Sequence, residues 1–263
     1  MIKLVASDID GTLLVAGKKE LSPEIYDIIL ELKRENITFV AASGRQLESL
    51  RKLFGPIEND IFYVAENGAV VKCGGEPIVL HEFEHALAMR IIRELENFPD
   101  CKMAVSTPTT QYILGNDDKL YDFMVNHVKY HTTVVDSFEN IRGPIIKIAF
   151  MNSEAYEERY EYFKTLFQNE IRVAKAGNSW VDFIPFQSDK GTGLKFILDK
   201  LHLSKDEVVS FGDEQNDIEM LGYTGRSYAM EYAKIDVKKC ATDITNSVEQ
   251  TLKELLNDTK QRR

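Results

Sequence analysis

The stretch Ile2-Lys3-Leu4-Val5-Ala6-Ser7-Asp8-Ile9-Asp10-Gly11-Thr12 decides how this 263-residue chain is read. A short, mostly apolar run stops at two carboxylates and a glycine, the pattern of a buried strand ending in a loop. Extended backbone points residues i and i+2 the same way. Asp8 and Asp10 are therefore expected to face one site, with Gly11 permitting a tight exit.

Two further runs end in the same manner. Thr38-Phe39-Val40-Ala41-Ala42 leads into Ser43-Gly44, and Val208-Val209-Ser210-Phe211 leads into Gly212-Asp213. Helical patterns lie between them. Ser22 as N-cap and Pro23 at the first helical position precede Ile25, Ile28, Ile29 and Leu32 at i, i+3, i+4, i+7. Thr192 precedes Leu194, Ile197, Leu198 and Leu201 at the same spacing, and Val248, Leu252, Leu255 and Leu256 form a third stripe. Strands alternating with helices predict an α/β fold, a Rossmann-like parallel sheet with helices on both faces. Ligands of such sheets bind beyond the strand C-termini, where Asp8, Ser43 and Asp213 would sit.

The middle of the chain reads differently. A helix carrying Leu87, Ile91 and Leu95 is followed by strands at Lys102–Thr107 and Gln111–Leu114 and a helix at Lys119–Val128. Strands at Thr132–Val135 and Ile145–Met151, a helix at Glu154–Phe167, and strands at Ile171–Ala174 and Trp180–Ile184 complete it. Paired strands separated by helices predict an inserted α+β domain with an antiparallel sheet. The expected organisation is a parallel core at 1–82 and 186–263, split by a second domain at 83–185.

Composition narrows the function. Asp plus Glu outnumber Lys plus Arg by 42 to 32, a net charge of −10, which argues against a sequence-independent grip on nucleic acid. The tail Lys260-Gln261-Arg262-Arg263 reads as solvated. The longest apolar run, Ile61 to Ala65, falls far short of the about 20 residues a membrane helix needs. The N-terminus turns acidic before a signal-peptide core forms, so a cytoplasmic protein is expected. Cys73, Cys101 and Cys240 are far apart, with no CxxC, and read as small hydrophobes. His81-Glu82-Phe83-Glu84-His85 formally matches HExxH, but that chemistry needs both histidines on one helical face. Here a strand over Pro77-Ile78-Val79-Leu80 and a helix starting near Glu84 or His85 leave the histidines straddling a domain junction. His127 and His131 read as solvated.

An acidic protein that handles an anionic small molecule must supply positive charge locally. Asp8, Asp10, Asp213 and Asp217 would repel one another in a partly dry site, and a hard divalent cation with oxygen ligands relieves this. Few ligands and an open coordination sphere favour Mg²⁺ over Ca²⁺. Ser43 beside the Gly44 backbone N–H, together with Lys190 before Gly191, suits phosphoryl oxygens. The helix expected to begin near Thr192 would add its positive end. Arg45 reads as a structural ion pair, and Asn67-Gly68, between Phe62-Tyr63-Val64 and Val70-Val71, as a hairpin turn.

Asp8-Ile9-Asp10-Gly11-Thr12, Ser43-Gly44-Arg45, Lys190-Gly191 and Gly212-Asp213-x-x-Asn216-Asp217 together resemble, in order, the four motifs of the haloacid dehalogenase (HAD) phosphatases. The long insert between the second and third motifs, with Glu66-Asn67-Gly68-Ala69, resembles the Cof-type subfamily with its α/β cap. The resemblance implies a phosphatase of small phosphorylated metabolites: sugar phosphates, pyridoxal phosphate, or flavin and nucleotide phosphates. It makes Asp8 the nucleophile, forming an aspartyl-phosphate, and Asp10 the general acid/base. It assigns Mg²⁺ to Asp8, the Asp10 backbone carbonyl and Asp213, with Asp217 supporting them. Ser43, Gly44, Lys190 and Asn216 would hold the phosphate, Lys190 would restrain Asp8, and the cap would exclude water. A phosphomutase using the same intermediate, or a sensor that binds without turnover, are the alternatives. A small-molecule phosphomonoester is the expected partner, with no nucleic acid and no membrane, and the chain is expected as a monomer or weak homo-oligomer. The sequence departs from the family in places. Ser43 stands where Thr is frequent, Glu231-Tyr232 replaces a common Gly-Asn after Ala229-Met230, and the usual glycine after Asn246 is missing.

Overall fold

The computed structural model describes residues 1–14, 18–115, 117–127, 130–152, 154–176 and 179–261. The chain divides into two compact units, Met1–Leu80 with Asp189–Arg263, and His81–Ser188.

The first unit begins with β1 (Leu4–Asp8), α1 (Pro23–Arg34), β2 (Thr38–Ala42), α2 (Leu47–Phe54), β3 (Phe62–Ala65), β4 (Val70–Lys72) and β5 (Ile78–Val79). The second unit follows with α3 (His85–Glu96), β6 (Lys102–Ser106), β7 (Gln111–Leu114), α4 (Asp118–Asp122), β8 (Thr132–Val135), β9 (Lys147–Met151), α5 (Tyr156–Leu166), β10 (Ile171–Ala176) and β11 (Trp180–Pro185). The chain then returns to the first unit through α6 (Lys190–Leu201), β12 (Val208–Gly212), α7 (Ile218–Tyr223), β13 (Arg226–Met230), α8 (Ile235–Cys240), β14 (Asp243–Thr245) and α9 (Val248–Gln261).

The sheet of the first unit has eight strands in the order β14-β13-β12-β1-β2-β3-β4-β5. It is parallel from β14 to β3, and β4 and β5 turn back antiparallel. Every residue of β1 and β12 is buried, as continuous apolar strands between two helical layers must be. Leu4, Ala6, Val40, Ala42 and Val64 pack with Leu194, Ile197 and Leu198 of α6. The predicted start of α1 is present: Pro23 opens the helix and the Ser22 hydroxyl accepts from the Ile25 N–H at 3.3 Å. Register positions the site. Asp8 pairs with Ala42, and Ser7 with Phe211, so Asp8, Ser43 and Asp213 all leave the sheet at the same edge.

The second unit holds six strands in the order β10-β11-β9-β6-β7-β8. Its sheet is antiparallel except for β7 and β8, which run parallel where a wholly antiparallel sheet was expected. The connection between them, carrying α4, crosses over instead of making a hairpin. Met103, Val105, Ile148, Phe150, Val181 and Phe183 alternate onto one face and meet Ile91, Ile92, Leu95, Phe163 and Phe167. Phe163 is fully buried, with its ring centroid 5.3 Å from those of both Phe150 and Phe183. Trp180 stacks on Phe123 at 6.3 Å beside Ala104, Ile113, Leu120 and Met124, which makes it a packing residue. Lys147 and Asp182 approach to 3.9 Å with little exposure.

Two local expectations change. The helix predicted over 119–128 is α4 followed by a π-helical turn at Phe123–His127, and Val128 lies outside the described residues. Asp117 starts that helix earlier by accepting from the Leu120 N–H at 2.9 Å. The helix expected near Thr192 begins at Lys190, because Asp189 is the N-cap and shares a capping box with Thr192. Of the basic tail, Lys260 pairs with Glu31, while Arg262 and Arg263 lie outside the described residues. His81 precedes α3 and His85 opens it, so the HExxH pair does not share one helical face. Among the described residues, no helix is long and apolar enough to cross a membrane.

Phe163→Ala opens a cavity in the second unit's aromatic core and should cost about 3–5 kcal/mol. Urea unfolding measures this, and a loss under 1 kcal/mol would contradict the packing described.

Candidate active site

β1 ends at Asp8, and the chain turns at once. The Leu14 N–H returns to the Ile9 carbonyl at 2.7 Å and the Gly11 N–H to the Leu14 carbonyl at 3.0 Å. Gly11 makes this turn possible. Its φ is +93°, and a Cβ there would sit 2.5 Å from Asp213 Oδ2. The next residue, Thr12, donates from Oγ1 to Asp213 Oδ1 at 2.7 Å. Sequence reasoning gave Thr12 no role, although it stands four residues after Asp8 in the same motif. Its hydroxyl ties the loop after β1 to the carboxylate that follows β12.

Lys190 is wholly buried at the first turn of α6. Its Nζ lies 2.6 Å from Asp8 Oδ1 and 2.6 Å from Asp217 Oδ1. The other oxygen of Asp217 accepts from the Asp213 N–H at 2.9 Å and the Glu214 N–H at 3.0 Å. Asp217 therefore folds the loop after β12 as well as meeting Lys190. Asp8, Asp213 and Asp217 each bring an oxygen within 4.8 Å of the others, and all three are buried. Asp8 Oδ2 is buried with no hydrogen-bond partner.

The electrostatics follow from this geometry. Burial, then the charge of Asp217, pushes the Asp8 carboxyl well above its ordinary range, although Lys190 pulls the other way. Burial also raises Asp213, against the Thr12 hydrogen bond. Burial alone would lower the Lys190 ammonium, but Asp217 and Asp8 outweigh it and hold the charge on. One ammonium against three carboxylates leaves the cluster short of positive charge. Hard oxygen donors with an unpartnered buried oxygen are a fitting set for a divalent cation such as Mg²⁺.

The structure does not bring Asp10 into this cluster. Its carboxylate is half exposed and held in a fork by Arg45, with Nε 2.7 Å from Oδ2 and Nη2 2.5 Å from Oδ1. The expectation that Asp8 and Asp10 face one site assumed extended backbone through both. The chain turns at Ile9, so extended backbone runs only through Asp8, and the Asp10 carboxylate lies in its pair with Arg45.

Ser43, Gly44, Asn67 and Asn216 form a second group. The Ser43 N–H donates to the Val64 carbonyl at 2.8 Å, and its hydroxyl accepts from the Arg45 N–H at 3.1 Å. A Cβ on Gly44 would come within 3.1 Å of the Asn67 side-chain amide. Asn216 donates from Nδ2 to Asn67 Oδ1 at 3.0 Å, and the Asn67 N–H donates to the Ser43 carbonyl at 3.0 Å. Asn67 does join the antiparallel β3 and β4, as a turn should, but it also bridges the loops after β2 and β12. The turn's backbone is left-handed, as an Asn-Gly turn requires, and Glu66 before it is left-handed as well. The φ values are +50° at Glu66, +52° at Asn67 and +93° at Gly68.

A pH dependence follows from Asp8. Its folded-state pKa lies above the ordinary value of 3.8. The native state therefore holds more protons above that pH, and stability falls as pH rises through the interval. In buffer with EDTA, Asp8→Asn removes this penalty. The variant should melt above the wild type at pH 8, with the difference shrinking toward pH 4. Added Mg²⁺ should raise the wild type more than the variant. Parallel pH profiles in thermal melts would contradict the strained carboxylate.

Comparison with known proteins places this geometry. Residues 5–251 match the family model of the haloacid dehalogenase-like hydrolases. The 5-amino-6-(5-phospho-D-ribitylamino)uracil phosphatase YbjI of Escherichia coli is 30% identical over 235 residues, covering 88% of this chain and 86% of that protein. The HMP-PP phosphatase of Citrobacter koseri is 26% identical, covering 88% and 84%. A crystal structure from Eubacterium rectale, 30% identical, superposes with a TM-score of 0.88 and covers 97% of this chain and 99% of its own. The parallel sheet and the second, largely antiparallel sheet are the HAD core and cap, and the chain belongs to the haloacid dehalogenase-like hydrolase family.

Proposed function

We propose that this chain is a Mg²⁺-dependent phosphomonoester hydrolase that acts on small phosphorylated metabolites through an aspartyl-phosphate on Asp8. One observation carries the reading. Asp8 is a buried carboxylate with one oxygen clamped 2.6 Å from Lys190 and the other without a hydrogen-bond partner, at the edge of the sheet where ligands of this architecture bind. A carboxylate so held cannot swing away, and its free lone pairs suit a nucleophile. The substrates of the named relatives support the substrate class. The Escherichia coli relative is named for a phosphoribityl uracil compound. Sugar phosphates, pyridoxal phosphate and flavin or nucleotide phosphates are the candidates for this chain.

Asp8, Asp213 and the Asp10 backbone carbonyl would hold the cation, with Asp217 orienting them. Bound Mg²⁺ supplies neutralising charge for the phosphoryl oxygens and the surrounding carboxylates. Asp8 attacks phosphorus, and the bond from phosphorus to the ester oxygen breaks. Asp10, once released from Arg45 and having taken up a proton from solvent, gives that proton to the ester oxygen, and the alcohol departs. Asp10 then takes a proton from water as the water attacks the aspartyl-phosphate, which frees inorganic phosphate and restores Asp8. Because Arg45 grips the Asp10 carboxylate, this duty requires Asp10 to leave the ion pair as substrate binds. Lys190, Ser43, the Gly44 N–H and Asn216 hold the non-bridging oxygens, and Lys190 also keeps Asp8 aimed.

The test is phosphate release from p-nitrophenyl phosphate and a panel of phosphorylated sugars, pyridoxal phosphate and nucleotides, with Mg²⁺ or with EDTA. Release should require Mg²⁺. Asp8→Asn should lower kcat by more than about 10³-fold, and Lys190→Ala by about 10²–10³-fold. No release from any member by folded wild type would overturn the proposal. An isomerised substrate without free phosphate would assign a phosphomutase instead.

A further inference from the structure

The loop after β13 carries a residue that the hydrolysis described above does not use. β13 runs parallel beside β12, with Ala229 level with Gly212, so Met230 and the residues after it leave the sheet beside Asp213. Two hydrogen bonds hold the backbone of the turn. The Glu231 N–H donates to the Thr245 carbonyl at 2.8 Å, and the Ala233 N–H to the Met230 carbonyl at 2.9 Å. Tyr232 stands at the apex and is 61% exposed, a large aromatic ring that packing leaves in solvent. Ile235, 69% exposed at the start of α8, lies three residues further on. The position is fixed by backbone, while the side chain is free to meet something else.

The surroundings narrow what that is. Partial burial, then the charges of Asp213 and Asp8, pushes the Tyr232 phenol up to about 12. The register of β13 on β12 puts Tyr232 at the same sheet edge as Asp213 and Asp8, and its phenol is neutral at working pH. A neutral aromatic face beside an acidic cluster suits an uncharged, flat group, and it gives an anionic one no cation to pair with.

We propose that Tyr232 is a substrate-contacting specificity residue, whose ring stacks on the leaving group and favours phosphomonoesters with a flat, uncharged ring close to the phosphate. The inference rests on the phosphatase reading and names the substrate class that this rim selects. It requires no bond to form or break at Tyr232.

The experiment compares wild type, Tyr232→Ala and Tyr232→Phe on p-nitrophenyl phosphate and on glycerol 2-phosphate, which has no ring. Tyr232→Ala should raise KM for p-nitrophenyl phosphate by about five- to tenfold with kcat changed less than about twofold. Tyr232→Phe should stay within about twofold of wild type on both substrates, since it keeps the ring. Glycerol 2-phosphate kinetics and competitive inhibition by inorganic phosphate should not change in either variant. Should the alanine variant fail to fold, Tyr232→Gln removes the ring at similar bulk and makes the same test. An unchanged KM in the variant lacking the ring, an equal loss on both substrates, or a loss in Tyr232→Phe matching that in Tyr232→Ala would each overturn the proposal. Active wild type with any of these results leaves the phosphatase reading standing, whereas wild type inactive on every phosphomonoester removes both.

Discussion

The buried ammonium of Lys190, bridging Asp8 and Asp217, is the contact on which the rest of the site depends. Three carboxylates within 4.8 Å of one another cannot share a dry interior without positive charge. Lys190 supplies one charge permanently, because its ammonium is held on by the acids around it. To place that ammonium, α6 must begin at Lys190, and the Asp189 capping box makes it do so. Gly68 completes the support. A Cβ there would lie 2.0 Å from the Asp189 carbonyl, so only glycine lets the β3–β4 turn approach the start of α6. A charge requirement at the site thus reaches outward to a helix cap and a turn.

The same cluster shows what the site costs the fold. Asp8 is held in a form its surroundings disfavour, and Glu66 and Asn67 keep left-handed backbone. Strain of this kind persists where neighbouring structure over-determines it. Here the neighbours are three parallel strands in register, whose ends place Asp8, Ser43 and Asp213 side by side. Stability comes from apolar strands between helices, and the polar expense is concentrated at one edge.

The two units use different means. The first gains its rigidity from parallel strands buried on both faces. The second gains it from alternation, with one sheet face packed under α3 and α5 around Phe163. The buried carboxylate cluster lies on the first unit, while Tyr232 of the same unit is exposed.

Local chemistry made much of this legible. The parallel core could be read from apolar runs that stop at Asp8, Ser43 and Gly212, because a strand buried on both faces must be apolar throughout and must end where polar groups begin. The order of the motifs and the carboxylate-rich loops pointed to a phosphate-handling metal site, because like charges at such spacing demand a cation. Other features lie in no single segment. The fork between Arg45 and Asp10 joins residues 35 apart in the chain, on the loops after β1 and β2. The parallel pairing of β7 and β8 depends on a crossover whose strands alone look like a hairpin. The roles of Thr12 and Asn67 depend on partners 201 and 149 residues away, Asp213 and Asn216. Sequence alone determined the elements and the chemistry they could carry, because periodicity and side-chain type are local. The resemblance already gave Lys190 to Asp8; only the tertiary structure decided that Lys190 would bridge to Asp217 as well and that Arg45 would take Asp10, because those choices are made by distances across strands that the chain order leaves open.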